Sequence, residues 1–309
     1  MMLLNRRSFL LGAAGLPLVT SGLSAYAVGV EPVMMLDVTS YALTPPGWPA
    51  NLPLKIAVLA DIHACEPWMT ADHVRHICSV TNSLKPDLIV LLGDYNGGHN
   101  FVTGPVMPDQ WGEALATLRA PLGLYGILGN HDVWHGALPN LRGDHGDSVR
   151  AALRAAHVNV LDNQAVRVSK DGQTFWLLGL ADQLAHRVGR HDFHGADDLP
   201  GTLRQVTDDA PAILLAHEPY IFPRVPQRIS LTLSGHTHGG QVNLPIVGSP
   251  LARRQSRFVY GHVVENERHL IISGGLGTSL FPVRFMRPPE IVQITLGGPA
   301  RAPGVAIAS

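Results

Sequence analysis

Short apolar runs recur along the chain, and most of them stop at a polar pair or triplet. Residues 54–60 form the first such run, which ends at Asp61-Ile62-His63. A continuous apolar run of this length marks a strand buried on both faces. Thr70 then caps a predicted helix with Val74, Ile77, Thr81 and Leu84 on one face, and Pro86 stops it. The next run, 87–92, ends at Gly93-Asp94. A helix is predicted over 111–119. The run 122–128 follows and ends at Gly129-Asn130-His131-Asp132. Strands alternating with helices indicate βαβ units. Ligands of such sheets bind beyond the carboxyl ends of the strands, where the polar residues fall here.

The second half is richer in strand patterns. Residues 164–168 and 175–180 predict a hairpin around Lys170-Asp171-Gly172. Residues 182–198 are polar and His-rich, a loop and candidate lid. The run 213–216 ends at His217, and 229–233 ends at Ser234-Gly235-His236-Thr237-His238. Further strands are predicted over 258–264, 269–272 and 291–296. This order predicts an α/β fold of two sheets packed face to face with helices outside. One domain would cover 53–297, followed by a flexible tail over 298–309. Prolines at 32, 45, 46 and 49 make 28–52 an extended lead-in, with a strand expected over 33–38.

Residues 1–27 read as an address. Arg6-Arg7-Ser8-Phe9-Leu10 resembles a twin-arginine export signal, and Ala25-Tyr26-Ala27 offers a small-x-small cleavage site. The apolar stretch from Leu10 to Val19 is about half of the ~20 residues that span a bilayer. The expected location is therefore the periplasm or cell envelope, with the twin-arginine export machinery as a partner. Retention at the membrane through an uncleaved signal is the other outcome.

Hydrophobic residues make up 46% and charged residues 15%, which excludes a wholly disordered chain. A net charge of −1 gives no general attraction to nucleic acid. Two cysteines exclude a disulfide scaffold. Histidine stands out, at 16 against 23 Lys and Arg together, and directs attention to metal binding and acid–base chemistry.

Five strand ends carry Asp61 and His63, Asp94, Asn130 and His131, His217, and His236 and His238. Oxygen and imidazole donors suit Mn, Fe, Zn, Co or Ni. The donors are too many for one catalytic ion that keeps a position open to water. They suit two ions sharing one carboxylate.

Asp-x-His, Gly-Asp, Gly-Asn-His-Asp, a lone His and Gly-His-x-His, in that order, resemble the calcineurin-like metallophosphoesterases over residues 54–296. Gly97 stands where purple acid phosphatases carry tyrosine. Tyr95-Asn96-Gly97-Gly98 replaces the Asp-Arg-Gly block of protein serine/threonine phosphatases. The second large domain of the related nucleotidases finds no room. Gly-His-Thr-His-Gly-Gly-Gln at 235–241, Gly-Leu-Gly-Thr-Ser at 275–279 and Arg-Pro-Pro-Glu at 287–290 are similar to the YkuE/YaeI-like bacterial phosphodiesterase branch.

The resemblance implies a four-layer α-β-β-α sandwich of two mixed sheets. It also implies roles for named residues. Asp61, His63 and His238 would hold one divalent ion (Mn, Fe, Zn or Ni). Asn130, His217 and His236 would hold a second, and Asp94 would bridge. A hydroxide shared by the ions would attack the phosphorus of a small-molecule or envelope phosphoester, most simply a phosphodiester. His131, outside the coordination sphere, would protonate the leaving oxygen, with Asp132 orienting its ring. Two alternatives stand beside this one. A hydrolase of UDP-2,3-diacylglucosamine type in lipid A synthesis would act on the cytoplasmic face, which conflicts with Arg6-Arg7. A non-catalytic metal-binding envelope protein would usually have lost Asn130, His131 or a ligand, and none is missing.

Other residues have weaker claims. His186, His191 and His194 lie on the polar loop. Cys65 is near the site and reads as a buried filler before a soft metal ligand; Cys78 reads as core. Arg253, Arg254 and Arg257 form a basic cluster suited to solvent, phosphate or anionic lipid. Peripheral contact with membrane or cell wall stays open on that basis. Arg284 and Arg287 are expected to fold back toward the substrate side.

Overall fold

In the computed structural model, which describes residues 22–99, 101–134, 144–189, 192–250 and 257–297, the apolar runs become strands, most of them buried on both faces. In chain order they are β1 (Asp37–Leu43), β2 (Leu54–Leu59), β3 (Leu88–Leu91), β4 (Leu124–Gly126), β5 (Val158–Val160) and β6 (Gln164–Lys170). There follow β7 (Gln173–Gly179), β8 (Ala212–Leu215), β9 (Leu231–Ser234), β10 (Gly261–Glu265), β11 (Arg268–Ile272) and β12 (Glu290–Leu296). The longer helices are α1 (Ala71–Ser83), α2 (Pro108–Leu115) and α3 (Asp147–Ala155).

One sheet has the order β1-β12-β2-β3-β4-β5 and is parallel except where β12 meets β2. The other has the order β10-β11-β9-β8-β7-β6, parallel in the middle and antiparallel at both edges. Alternation along β2 separates the layers. Ile56 and Val58 pack between the sheets with Phe175, Leu177, Ile213 and Leu231. Ala57 and Leu59 face outward to Val74, Ile77, Trp111 and Leu153 on the helices. The outer face of the second sheet buries Leu178, Leu214 and Leu270 against Ile221 and Phe222 of a 3₁₀ turn. Each fully buried aliphatic side chain contributes roughly 1.5–3 kcal/mol, and these three clusters hold the four layers together.

The elements differ from the sequence pattern in places. The Thr70 hydroxyl accepts from the His73 N–H at 3.1 Å, as a helix cap should. α2 starts earlier than the pattern indicates because Pro108 takes its first turn. Residues 148–160 show no clear pattern, yet form α3 and β5. The strand expected over 33–38 begins instead at Asp37, and Glu31–Met34 is helical. Glu31 explains this. Its buried carboxylate accepts from the backbone N–H groups of Met286 and Arg287 at 2.9 and 2.6 Å. The Ala27 carbonyl accepts from the Arg284 N–H at 2.9 Å, so part of the expected cleavage segment lies against the body of the fold.

The polar loop over 182–198 contains a two-residue ladder, His186–Arg187 with Phe193–His194. The expected signal up to residue 21, His191, Arg253, Arg254 and the tail beyond 297 lie outside the described residues. No helix among the described residues is long and apolar enough to cross a membrane.

Candidate metal centre

Strands β2, β3 and β4 of one sheet and β8 and β9 of the other deliver their following residues to one place. Asp61, His63, Asp94 and His238 present ligand atoms within 4.8 Å of one another. Asp94, His217 and His236 do the same, so Asp94 belongs to both groups. Asn130 joins through Oδ1, 3.0 Å from His236 Nδ1. Asp61, His63, Asp94, His236 and His238 all have positive φ, between 47° and 69°. Left-handed backbone at non-glycine residues costs of order 1 kcal/mol or more and concentrates at functional sites. Here it turns successive side chains inward immediately after each strand.

The imidazoles are held in defined orientations. His63 Nδ1 lies 2.8 Å from the Asn96 carbonyl, and His217 Nδ1 lies 2.6 Å from the Leu92 carbonyl. Donation to those carbonyls leaves the Nε2 lone pairs facing the site. His63 Nε2 and His238 Nε2 approach to 3.0 Å, and Asp61 Oδ2 is buried without a hydrogen-bond donor. Lone pairs and carboxylate oxygens converging in a buried space are a donor set for divalent cations, and the residues fit such ions.

Burial pushes the Asp61 carboxyl up to about 7 and the His63 imidazole down to about 3. Burial also disfavours ionised Asp94, but the His217, His131 and His63 imidazoles outweigh it and hold Asp94 well below the usual carboxylate range. His217 is the counterpart: burial opposes its protonation, and Asp94 raises it.

Two glycines make room for the carboxylates. A Cβ on Gly129 would stand 2.4 Å from Asp94 Oδ1 and 2.7 Å from His217 Cε1. Gly275 has φ +72°, and a Cβ there would meet Asp61 at 2.8 Å.

His131 belongs to neither ligand group. Its ring lies edge-on to His63, with centroids 5.0 Å apart, and its Nδ1 has no hydrogen-bond partner among the described residues. Burial lowers its pKa. With Asn130, Trp134, Tyr220, His236 and Leu280 it lines a cleft of about 340 Å³.

Asp132 departs from the orienting role expected for it. Its Oδ2 accepts from Asp94 N at 2.8 Å and Gly129 N at 2.9 Å. Its Oδ1 accepts from Tyr95 N at 2.8 Å and Asn96 N at 3.2 Å. These bonds engage both carboxylate oxygens, and none of them runs to the His131 ring. The loop after β3 leaves several buried N–H groups without carbonyl partners, and Asp132 satisfies them. It thereby fixes the loop that carries Asp94.

The remaining candidates are dispersed. Arg284 is fully buried; its guanidinium donates to the carbonyls of Gly277 at 2.6 Å, Gly274 at 2.9 Å and Arg287 at 2.9 Å. It braces the loop whose Gly277 N–H donates to the Asp61 carbonyl at 2.7 Å, and does not face substrate. Arg287 lies over the Tyr260 ring at 3.7 Å, and Arg257 pairs with Glu265. Cys65 and Cys78 are buried free thiols, pushed by burial up to about 11 and 12. His186 and His194 stay in the exposed ladder.

Sequence reasoning missed four residues here. Trp134 and Tyr220 wall the cleft, and Trp134 stacks on Phe193 at 5.0 Å and donates to the Leu184 carbonyl at 2.8 Å. The polar loop thus covers one side of the cleft. Asp182 and Glu218 form a third group with His217. The signal for both was present: Glu218 follows a strand-end histidine, and Asp182 follows the run 175–180 much as Asp61 follows 54–60.

The sequence profile of calcineurin-like phosphoesterases matches residues 54–240. The chain belongs to the calcineurin-like phosphoesterase family. It is 30% identical over 311 residues to the uncharacterised metallophosphoesterase YkuE of Bacillus subtilis, covering 95% of this chain and 98% of that one. An uncharacterised metallophosphoesterase of Aquifex aeolicus is 31% identical over 264 residues, covering 85% and 92%. The phosphodiesterase YaeI of Escherichia coli is 29% identical over 251 residues, covering 79% and 82%. This calcineurin-like phosphoesterase is therefore a metal-dependent phosphoester hydrolase.

Proposed function

We propose that this phosphoesterase holds two divalent ions and hydrolyses a phosphodiester in the cell envelope. The observation that carries the reading is the membership of Asp94 in both ligand groups. Asp61, His63 and His238 would hold one ion and Asn130, His217 and His236 the other, with Mn, Fe, Zn or Ni suited to these donors. Bound there, such ions supply Lewis acidity, which lowers the pKa of water and offsets charge on the phosphoryl oxygens.

The chain supplies the rest. His131, on the cleft wall, donates a proton to the leaving oxygen. Trp134, Tyr220 and Leu280 give the cleft apolar walls, which suit a second ester substituent. A relative named as a phosphodiesterase supports the same preference. The envelope location and export partner are supported by Arg6-Arg7 and the apolar stretch behind them.

One observation favours a second reading, an acylated substrate of UDP-2,3-diacylglucosamine type. Leu280 and Phe281 are 64% and 54% exposed beside the cleft, and Phe281 lies 5.7 Å from the Phe101 ring. The same residues support peripheral membrane contact. A phosphoester panel assayed after loading with each metal, together with cell fractionation, tests these readings. Faster hydrolysis of bis-nitrophenyl than mono-nitrophenyl phosphate is expected; a strict monoester preference would overturn the diester assignment.

A further inference from the structure

Glu218, the residue after His217, is fully buried, and its Oε1 accepts no hydrogen bond among the described residues. Its Oε2 accepts from the Gln183 backbone N–H and side-chain amide, both at 3.2 Å. Its Oε1 has no donor and lies 3.9 Å from His236 Nδ1, beyond hydrogen-bond reach. That nitrogen is already engaged by Asn130 Oδ1 at 3.0 Å. Glu218, Asp182 and His217 present ligand atoms within 4.8 Å of one another. Asp182 is equally buried; its Oδ1 accepts from Leu184 N at 2.8 Å, and its Oδ2 has no donor.

The topology makes this meeting unavoidable. β7 and β8 are parallel neighbours, so the residues just beyond their carboxyl ends lie side by side. Asp182 follows one and His217-Glu218 the other. Two buried carboxylates that each leave an oxygen without a donor carry a large desolvation cost. The two carboxylates also repel each other, and a cation beside His217 and His236 would relieve both costs. Among the described residues, neither a lysine nor an arginine is a partner of either carboxylate.

We propose that Glu218 is a ligand of the ion held by Asp94, Asn130, His217 and His236, giving that position a second carboxylate, with Asp182 behind it. This rests on the two-ion reading above. Glu218 makes the position more anionic than the seven-residue set alone and so favours tighter retention of a hard divalent ion there.

The test uses the full chain, stripped with chelator and titrated with Co²⁺ alone, whose visible d–d absorption reports its coordination. Wild type should take up two ions in distinguishable steps. Glu218→Gln should leave one step unchanged, weaken the step that fills the Asn130, His217 and His236 position (the second ion) roughly tenfold or more, and alter the absorption band of that ion. Weaker binding with an unaltered band would mean that Glu218 acts only through its charge, and would overturn the proposal. So would two unchanged steps. Should Glu218→Gln fail to fold, Glu218→Asp keeps the charge on a shorter arm and must still alter the second ion's band; an identical band overturns the assignment. Uptake of a single ion by wild type would sink the two-ion reading itself, whereas two ions in wild type and an unaffected variant would sink only the role of Glu218.

Discussion

The backbone N–H of His131 donates to Asp94 Oδ1 at 2.9 Å, which leaves Asp94 Oδ2 facing His63 Nε2 at 3.4 Å and His217 Nε2 at 3.2 Å. One oxygen is fixed by the chain and the other is shared between the ligand groups. A residue lining the cleft therefore also positions the carboxylate common to both groups. This coupling runs through the backbone, so a change to the His131 side chain leaves it intact.

Chelation should abolish hydrolysis, and added Mn²⁺ should restore it with close to two ions per chain. Asp94→Asn should lose metal from both groups, because it removes the shared negative charge. His131→Gln should retain its metal. Elemental analysis of the purified variants decides this; full metal content in Asp94→Asn would overturn the proposal that Asp94 bridges two ions.

His131→Gln should slow hydrolysis of an ester with an alkyl leaving group by roughly 10²–10⁴. A nitrophenyl leaving group needs little protonation, so the loss there should be much smaller. Steady-state rates on the two substrates make the comparison. Equal losses on both would leave His131 without a role as acid.

Gly129→Ala should fold and yet bind metal poorly. Its Cβ would stand 2.4 Å from Asp94 Oδ1, closer than any real contact, and must displace Asp94 or the loop after β3. Metal titration alongside circular dichroism tests this. Gly172 provides a control far from the metal site. It has φ +78°, but a Cβ there would meet nothing within 4 Å, so Gly172→Ala should spare metal uptake.

The metal-stripped protein should show an imidazole contribution to its pH dependence. An unfolded histidine titrates near 6.5, whereas burial pushes folded His63 down to about 3. Between those values the unfolded chain binds the proton and the folded chain does not. The His63 contribution is thus present above about pH 6.5 and is lost as pH falls toward 3. Asp61, pushed up to about 7 by burial, acts in the opposite sense, so a comparison isolates the histidine. Stripped His63→Gln should lose less melting temperature than stripped wild type between about pH 7 and pH 5. Equal losses in thermal melts would contradict this.

Export should depend on the arginine pair. Lysine at both Arg6 and Arg7 keeps the charge but removes the paired guanidinium pattern that a receptor reads. The double variant should accumulate inside the cell, folded and active on phosphoesters in a lysate. Its arrival in the envelope at wild-type levels would end the case for twin-arginine export and favour the cytoplasmic lipid-precursor reading.

Much of the layered fold was legible because buried strands of a parallel sheet are continuous apolar runs, and their stops are conspicuous. Less was legible where the signal was local and weak. α3 is only nine residues long and buries Val149, Ala152 and Leu153 among charged neighbours. The helical turn at Glu31 depends on the backbone of residues 286 and 287, some 255 positions away, and no local pattern encodes that.

The sequence by itself determined the ligand chemistry: aspartate, asparagine and histidine at strand ends, in an order that specifies a phosphoesterase. Tertiary structure decided how these residues are used. His63 and His238 are 175 positions apart, and their nitrogens meet at 3.0 Å only because two different sheets end at the same edge. Asp132 holds backbone N–H groups, Arg284 braces carbonyls, and Glu218 turns an unpartnered oxygen toward His236. Strand register sets which residues end each strand, and that is written locally in the apolar pattern. The partner of a residue just past a strand is set by which loops the crossovers bring together, and that is a property of the assembled fold.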